Sequence, residues 1–241
     1  MKRLNKTSEL MWLFGTVFVA LGVAICSKAD LGVSMIAAPA FVVQEAAVAL
    51  WGGLTVGVTE YIIQGLMLMV LCIIIRRFDW RYLLAFAVAV VYGYTLNFFL
   101  WLLGGVTAPA VWMRWIMLIV GDCITATGVA CFFRTYLPLQ VYELFVAELS
   151  ARFGFAIHKT KWTFDITLLL ISVTLAFTLF GDVATFDWKT IGSASFHSIG
   201  LGTLVTTAIN SPIIAGVGKL LDRLFDPTPA FPKLHKVLHR S

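Results

Sequence analysis

The chain has 241 residues with a formal net charge of +5; 60% of them are apolar, 13% are charged, and the mean hydropathy is +0.90. This composition excludes an ordinary water-soluble globule and predicts an all-α polytopic membrane protein. One membrane domain needs the whole of 1–241, which leaves no room for a soluble catalytic domain. We therefore do not expect an enzyme.

Six apolar runs are long enough to cross roughly 30 Å of hydrocarbon. In chain order they lie at 10–27, 54–75, 83–103, 114–133, 164–181 and 190–218. The first run lacks a small-residue cleavage site, so we expect it to remain as a span rather than to be removed as a signal peptide. Two further stretches, 33–50 and 137–152, contain polar residues and are marginal as spans.

The distribution of Lys and Arg favours six spans over eight, because these residues collect in cytoplasmic loops. With six spans and a cytoplasmic N-terminus, all of the 18 Lys and Arg residues except Lys28, Arg114 and Lys189 lie inside. Eight spans would move several arginines outside. The two marginal stretches are therefore predicted to be re-entrant or interfacial segments, and both termini are predicted to be cytoplasmic.

The sequence contains an internal repeat. Residues 15–24 (GTVFVALGVA) align with 121–130 (GDCITATGVA), and Phe78-Asp-Trp-Arg is echoed by Phe186-Asp-Trp-Lys. Because three crossings per copy is an odd number, the copies, about 10–103 and 114–218, are predicted to be inverted relative to each other. A basic cytoplasmic tail, 219–241, follows, and its basic residues are typical of a juxtamembrane anchor on anionic lipid.

Ionisable residues within the apolar runs are candidate functional groups, because each is costly at membrane depth without a partner or water. Asp122 lies near the centre of the fourth run and indicates either a cation or proton site or a locally paired carboxylate. Glu60 and Asp165 occupy comparable positions in the two copies. Lys161 precedes Asp165 by four residues, so the two share a helical face and can pair, either functionally or as a simple interfacial ion pair.

Three further polar residues are candidates for substrate binding or coupling. Glu143 lies in the second marginal stretch, which lines a cavity if it is re-entrant and carries a solvated face if it lies on the membrane surface. Ser34 lies where a helix could begin, and it either caps that helix or helps its N-terminus face an anion. Asn97, in the third run, is either a ligand contact or a bond between helices.

Short motifs along most of the chain resemble the bacterial YczE/YitT-like family of integral membrane proteins. They are Gly22–Ser34, Val91–Asn97 and Lys161–Asp165, followed by Gly200–Thr203 and Ser211–Ile214. The resemblance implies a bacterial inner-membrane protein suspected of transport, and it supplies no substrate.

Two positions depart from the pattern of that family. This chain has Asn97 where family members often carry an acidic residue, and Ser34-Met35 where they often have Ser-Pro. These departures indicate that the ligand could differ.

We expect a small-solute secondary transporter or exporter, with substrate bound between the two inverted repeats. A membrane binding subunit or scaffold that acts with a partner protein is the alternative, and a channel is a third. The expected partners are the lipid bilayer and an unknown small solute or ion, with no nucleic acid, and a homo-oligomer is left open. No cofactor or metal site is expected, because the four cysteines lie in apolar runs without ligand spacing and His197 stands alone.

Overall fold

A computed structural model describes residues 8–48, 51–181, 193–226 and 228–231. These residues form eight helices and no strand. The helices are α1 (Ser8–Lys28), α2 (Ala38–Val48), α3 (Val56–Ile75), α4 (Arg81–Leu102), α5 (Val111–Phe132), α6 (Val141–Phe153), α7 (Ile157–Phe180) and α8 (Leu201–Leu224).

Six of these helices, α1, α3, α4, α5, α7 and α8, are long and apolar enough to cross a membrane, which confirms the predicted spans and the polytopic membrane class. Two boundaries were predicted wrongly. α7 begins at Ile157, seven residues before the predicted start of the fifth span, and it therefore includes Lys161. α8 runs from Leu201 to Leu224, later than the predicted run, whose first residues, 190–192, lie outside the described residues.

Local sequence signals explain several helix boundaries. The Thr55 side chain accepts a hydrogen bond from the backbone N–H of Val58 at the start of α3, as expected of an N-cap residue. Gly154 and Gly181 follow the last residues of α6 and α7 with φ of 71° and 67°. Glycine adopts this left-handed conformation without strain, so these two helices end where their sequences allow it.

The long helices alternate in direction. Trp12 of α1 donates a hydrogen bond to the carbonyl of Pro138, just beyond the end of α5, whereas Arg114 near the start of α5 pairs with Asp30, just beyond the end of α1. α1 and α5 are therefore antiparallel. We call the face at which α1 begins and α5 ends the proximal face, and the opposite face the distal face.

The short helices α2 and α6 do not cross between the two faces. They have 11 and 13 residues, about 16 and 20 Å at 1.5 Å per residue, which is shorter than the roughly 30 Å of hydrocarbon. Before α2 the chain turns inward from the distal face, and after α2 it returns to that face, where α3 begins. The chain around α6 follows the same path from the proximal face, between α5 and α7. In both helices the first residues are buried and the last are more exposed, a pattern expected of re-entrant segments rather than of helices that lie on the membrane surface.

The helices form two groups that also pack against each other, most closely where α3 crosses α4 at Gly57 and Gly93. α1 contacts α4 and α5, and α5 also contacts α8; we call these four helices the first bundle. α2 and α6 each contact both α3 and α7, and these four form the second bundle. Each predicted repeat contributes two helices to each bundle, so the groups cut across the repeats.

The centre of the first bundle is a close crossing of α1 and α5 at four glycines. The backbone of Gly15 contacts that of Gly128, and the backbone of Gly22 contacts that of Gly121. A Cβ built on Gly22 would lie 2.5 Å from the carbonyl oxygen of Gly121, and one on Gly128 would lie 2.8 Å from that of Gly15. Only residues without a side chain permit this approach, which is a common way of packing helices in lipid.

The described part of the C-terminal tail folds back onto the proximal end of α1. The Glu9 carboxylate accepts hydrogen bonds of 3.0 and 3.1 Å from the backbone N–H groups of Ala230 and Phe231. The predicted lipid anchor falls largely on 232–241, and the Phe186–Lys189 echo falls on 182–192; both lie outside the described residues.

The glycine crossing predicts that Gly22→Ala destabilises the protein. The added methyl group meets the α5 backbone, and overpacking of this kind costs about 1–3 kcal/mol, so the thermal unfolding midpoint in detergent should fall. Gly216→Ala is the matched control, because Gly216 lies in α8 with no atom near its built Cβ and alanine is the better helix former. Equal midpoints for the two variants would contradict the importance of the crossing.

Candidate functional site

Polar and ionisable side chains meet in the interior of the bundle, and each is at most 4% exposed. They come from α5 and α8 of the first bundle and from α3, α6 and α7 of the second, and they lie where the two bundles meet. This buried polar cluster consists of Glu60, Gln64, Asp122, Tyr142, Glu143, Lys161, Asp165 and Asn210.

The first bundle contributes a carboxylate and an amide. Asp122 lies midway along α5, and its Oδ1 accepts a hydrogen bond of 2.8 Å from Nδ2 of Asn210 in α8. The two helices run parallel here, since Arg134 at the proximal end of α5 pairs with Asp222 at the proximal end of α8. Asp122 is therefore held at mid-depth by one neutral partner.

The second bundle contributes a buried ion pair. Lys161 Nζ lies 3.1 Å from Asp165 Oδ1, with side-chain exposures of 5% and 0%. The pair lies within one turn on α7, as the spacing predicts, and it is buried inside the protein. Asp122 and Glu143 lie near enough for their charges to interact with those of Lys161 and Asp165. Lys161 is thus hydrogen-bonded to Asp165 and lies close enough to Asp122 and Glu143 for its charge to attract theirs.

A second group of polar side chains joins α3 to the re-entrant helix α6. Glu60 Oε2 accepts a hydrogen bond of 2.9 Å from the Tyr142 hydroxyl and one of 3.4 Å from Gln64 Nε2. Tyr142 and Glu143 lie in the first turn of α6, which places Glu143 close enough for its charge to act on Glu60. The first turn of α6 therefore places a second carboxyl group, that of Glu143, near the carboxyl group of Glu60.

Many polar atoms of the cluster have no partner among the described residues. One oxygen of each carboxylate lacks a hydrogen bond: Glu60 Oε1, Asp122 Oδ2, Glu143 Oε2 and Asp165 Oδ2. The amide oxygens of Gln64 and Asn210 are also unpaired. Buried polar groups are normally hydrogen-bonded, so such a concentration of unpaired acceptors is unusual and calls for a ligand, protons or water.

A cavity of about 550 Å³ lies toward the proximal face, and one member of the cluster, Lys161, lines it. It lies between the proximal ends of α5, α7 and α8. Its rim includes Arg134 and His158, and its wall includes Lys161 and Ser211, the residue that follows Asn210. The cavity therefore reaches Lys161 of the ion pair on α7 and, on α8, the residue next to Asn210.

At the distal face, hydrogen bonds join side chains of several helices to the segment 193–200 between α7 and α8. Arg114 donates hydrogen bonds to Asp30 at 3.0 Å and to the carbonyl of Ser193 at 2.7 Å. The Ser195 hydroxyl also bonds Asp30, at 2.8 Å. A smaller cavity of about 240 Å³ lies directly beneath these contacts.

A further contact at the distal face joins the second bundle to the same segment. The His197 ring lies 2.8 Å from the Glu45 carboxylate of α2 and stacks on Phe180 at the end of α7. His197 has a φ of 46°, which is uncommon for a residue other than glycine. The segment 193–200 is thus fixed to both bundles.

Five of the residues that the sequence singled out come together in the cluster: Glu60, Asp122, Glu143, Lys161 and Asp165. The other two lie elsewhere. Ser34 is buried, its hydroxyl lies 3.6 Å from Met35 Sδ, and α2 begins four residues later. Asn97 accepts a hydrogen bond from the N–H of Gly57 and donates one to Thr55 Oγ1, so it joins α4 to the start of α3.

Three cluster members were not among the predicted site residues, namely Gln64, Tyr142 and Asn210. Gln64 follows Glu60 by one helical turn, and that spacing within an apolar run is a signal that could have identified it. Asn210 is a polar residue in the sixth apolar run, but its partner lies 88 positions away, and no pattern in the sequence indicates that pairing. Tyr142 has no signal of its own, since a tyrosine beside a glutamate is common on any helix.

The fold and this interior define a polytopic helical membrane protein with a buried ionisable centre. The chain belongs to a family of unknown function, DUF6198, whose model matches residues 6–219. No curated protein and no solved structure matches the chain significantly. Within the described residues, no group of three or more His, Cys, Asp or Glu side chains is arranged to hold a metal ion.

The buried ion pair predicts a strong effect of Lys161→Met. This change leaves Asp165 buried without its cation, which costs about 3–5 kcal/mol, whereas replacing both partners by apolar residues is often neutral. We therefore expect Lys161→Met to lower stability in denaturant unfolding and the double variant Lys161→Met, Asp165→Leu to recover most of the loss.

The control is Arg81→Met at the more exposed pair between Arg81 and Asp79. In that loop, the hydrogen bond from Arg81 holds the pKa of the Asp79 carboxyl below its usual range, but exposed pairs contribute only about 0–1 kcal/mol. A loss at Lys161 no larger than the loss at Arg81 would contradict the buried pairing.

Proposed function

We propose that the protein is a small-solute secondary transporter of the bacterial inner membrane and that the buried polar cluster is its binding and coupling site. The observation that carries this proposal is the set of unpaired carboxylate and amide oxygens where the two bundles meet. Intramembrane ionisable residues are rare, and in transporters they mark substrate or proton pathways. The proximal cavity reaches Lys161 of this site, and hydrogen bonds hold the distal face together.

An inverted duplication is supported by the contacts at the α1–α5 crossing. In the repeat alignment, Gly15 corresponds to Gly121 and Gly22 to Gly128. In the structure, Gly15 contacts Gly128 and Gly22 contacts Gly121. This exchange of partners is what a two-fold axis between the two copies would produce. Such an axis, lying in the membrane plane, is typical of transporter folds.

Some helix contacts outside this crossing also support the same symmetry. The re-entrant helix of each copy contacts the following helix of its own copy and the corresponding helix of the other copy: α2 contacts α3 and α7, and α6 contacts α7 and α3. Likewise, the first helix of each copy contacts the last, α1 with α4 and α5 with α8. We infer that the two copies exchange their re-entrant helices around one shared site.

We assign the proximal face to the cytoplasm, with both termini on that side. The described loops and helix ends at this face carry Arg76, Arg77, Arg134 and Arg152. The rule that positively charged loops remain inside supports this orientation. The resemblance to the YczE/YitT-like family would place the chain in the bacterial inner membrane, and it stays a prediction.

In this mechanism the two bundles move against each other. Asp122 and Asn210 lie on the first bundle, whereas Lys161 and Asp165 lie on the second, so a change in the angle between the bundles alters the site itself. Opening at the distal face requires Arg114 to leave Asp30 and Ser193. Closing at the proximal face brings α7 onto α5 and α8, where the cavity now lies. The moving units are therefore the bundles rather than the sequence repeats.

Alternating access predicts opposite changes in accessibility at the two faces. In a background without the four native cysteines, His158→Cys reports on the proximal cavity and Ser195→Cys on the distal one. Adding Arg114→Gln removes the distal contacts and shifts the population toward a distally open state. We expect labelling by a membrane-impermeant thiol reagent to rise at position 195 and fall at position 158 in the same preparation.

The matched control for this experiment is Asp222→Asn, which weakens the bond with Arg134 at the proximal end and should not raise labelling at position 195. A parallel rise at both positions would instead favour a channel or a loosened structure. If neither position responds to Arg114→Gln, the result favours a binding subunit that does not transport. Either result would reject alternating access.

A further inference from the structure

The unpaired polar atoms of the cluster share one chemical property. Apart from the hydroxyl of Ser211, the unpaired atoms near the cluster are amide and carboxyl oxygens, which act as hydrogen-bond acceptors when the carboxyl groups are ionised. No buried side-chain nitrogen in the described residues is unpaired. The complete set is Glu60 Oε1, Gln64 Oε1, Asp122 Oδ2, Gln140 Oε1, Glu143 Oε2, Asp165 Oδ2, Asn210 Oδ1 and Ser211 Oγ.

The two amide orientations in the cluster are fixed by chemistry. Gln64 donates through Nε2 to Glu60, and Asn210 donates through Nδ2 to Asp122. Rotating either amide by 180° would turn its oxygen toward a carboxylate oxygen and lose the bond. The free atom of each amide is therefore its acceptor, and it lies beside a carboxylate that also has a free oxygen.

The charges of the cluster favour the same kind of ligand. Four carboxyl groups, Glu60, Asp122, Glu143 and Asp165, are buried with the single ammonium of Lys161. An anionic ligand would meet repulsion from the carboxylates and find few donors. A ligand with positive charge and several N–H groups would supply both the missing charge and the missing donors.

Resting on the proposed function of the cluster as the transport site, we propose that the solute is a small organic cation with N–H donors, an ammonium or guanidinium compound, bound at Asp122 and Asn210. A donor-rich cation satisfies carboxylate and amide oxygens together, and charge-assisted hydrogen bonds are the strong ones.

The proximal cavity has the shape and lining for such a solute. Its volume of about 550 Å³ lies within the ordinary range for small-molecule sites, and those sites combine apolar walls with a few polar groups. Phe133, Ile157 and Ile214 form apolar parts of its wall. Ser211, the neighbour of Asn210 in α8, also lines it, so the proposal requires the cationic head to pass from this cavity to the buried Asp122 carboxylate while the alkyl chain stays between the apolar walls.

The test uses ligands that share a butyl chain and differ only in the head group. Butylammonium and butylguanidinium carry charge and N–H donors, butyltrimethylammonium carries charge without donors, and pentanoate carries the opposite charge. Each is titrated against the purified full chain in detergent, and the thermal midpoint is followed, because a ligand that binds only the folded state raises it. Sodium chloride at matched ionic strength is the blank.

We expect saturable shifts with butylammonium or butylguanidinium and no comparable shift with the other two ligands. Asp122→Asn should weaken that binding by about tenfold or more, the effect expected when a charged hydrogen-bonding partner is neutralised. Asp79→Asn, in the exposed loop between α3 and α4, is the matched control and should bind as the unchanged chain does. The head-group series on the unchanged chain stands on its own if Asp122→Asn fails to fold.

Three results would overturn the ligand class: no shift with either donor-bearing cation, an equal shift with butyltrimethylammonium or with sodium alone, or undiminished binding by folded Asp122→Asn. Water would then be the partner of the unpaired oxygens. Flux in proteoliposomes separates this inference from the proposed function. Binding of butylammonium without flux rejects transport and keeps the ligand class, whereas flux of another solute without such binding keeps transport and rejects the class.

Discussion

The antiparallel contact between α1 and α5 is the constraint on which the rest of the structure depends. Four glycines remove the side chains from the crossing, so the two backbones touch and the helices become one rigid support. α4 and α8 then pack on either side of this support, and the chain between α1 and α3, and again between α5 and α7, can turn back inside the protein. Hydrocarbon cannot satisfy irregular backbone, which is tolerated at this depth only where protein surrounds it.

The position of the polar cluster follows from this arrangement. Each re-entrant segment begins its helix at depth, and α6 thereby brings Tyr142 and Glu143 to Glu60 of α3. The cost of burying several carboxylates is offset only in part by one lysine, two amides and a tyrosine hydroxyl. Each remaining unpaired oxygen lowers the stability of the fold, because a buried acceptor without a hydrogen bond has lost its water and gained no partner. Local costs of this kind are characteristic of functional sites. The unpaired oxygens also make the interior favour a ligand with hydrogen-bond donors and positive charge.

The two faces of the protein differ in how their helices are joined. At the distal face, Arg114, Asp30 and the segment 193–200 are joined by short hydrogen bonds, while at the proximal face the ends of α5, α7 and α8 enclose an open volume. Exposed ion pairs contribute little stability individually. Contacts of that strength can break and re-form during a transport cycle, whereas the glycine crossing in the first bundle cannot separate without losing its packing.

The sequence by itself determined the membrane class, the six spans and the two short segments between them, because the length and polarity of an apolar run decide whether it can cross hydrocarbon. It also identified Asp122, Glu60 and Asp165, because a carboxylate in such a run is conspicuous. Only the tertiary structure decided that Lys161 and Asp165 are buried, since their spacing is the same for a surface pair. It alone joined Asn210 to Asp122, because hydrogen bonds between distant helices leave no periodic pattern in the chain.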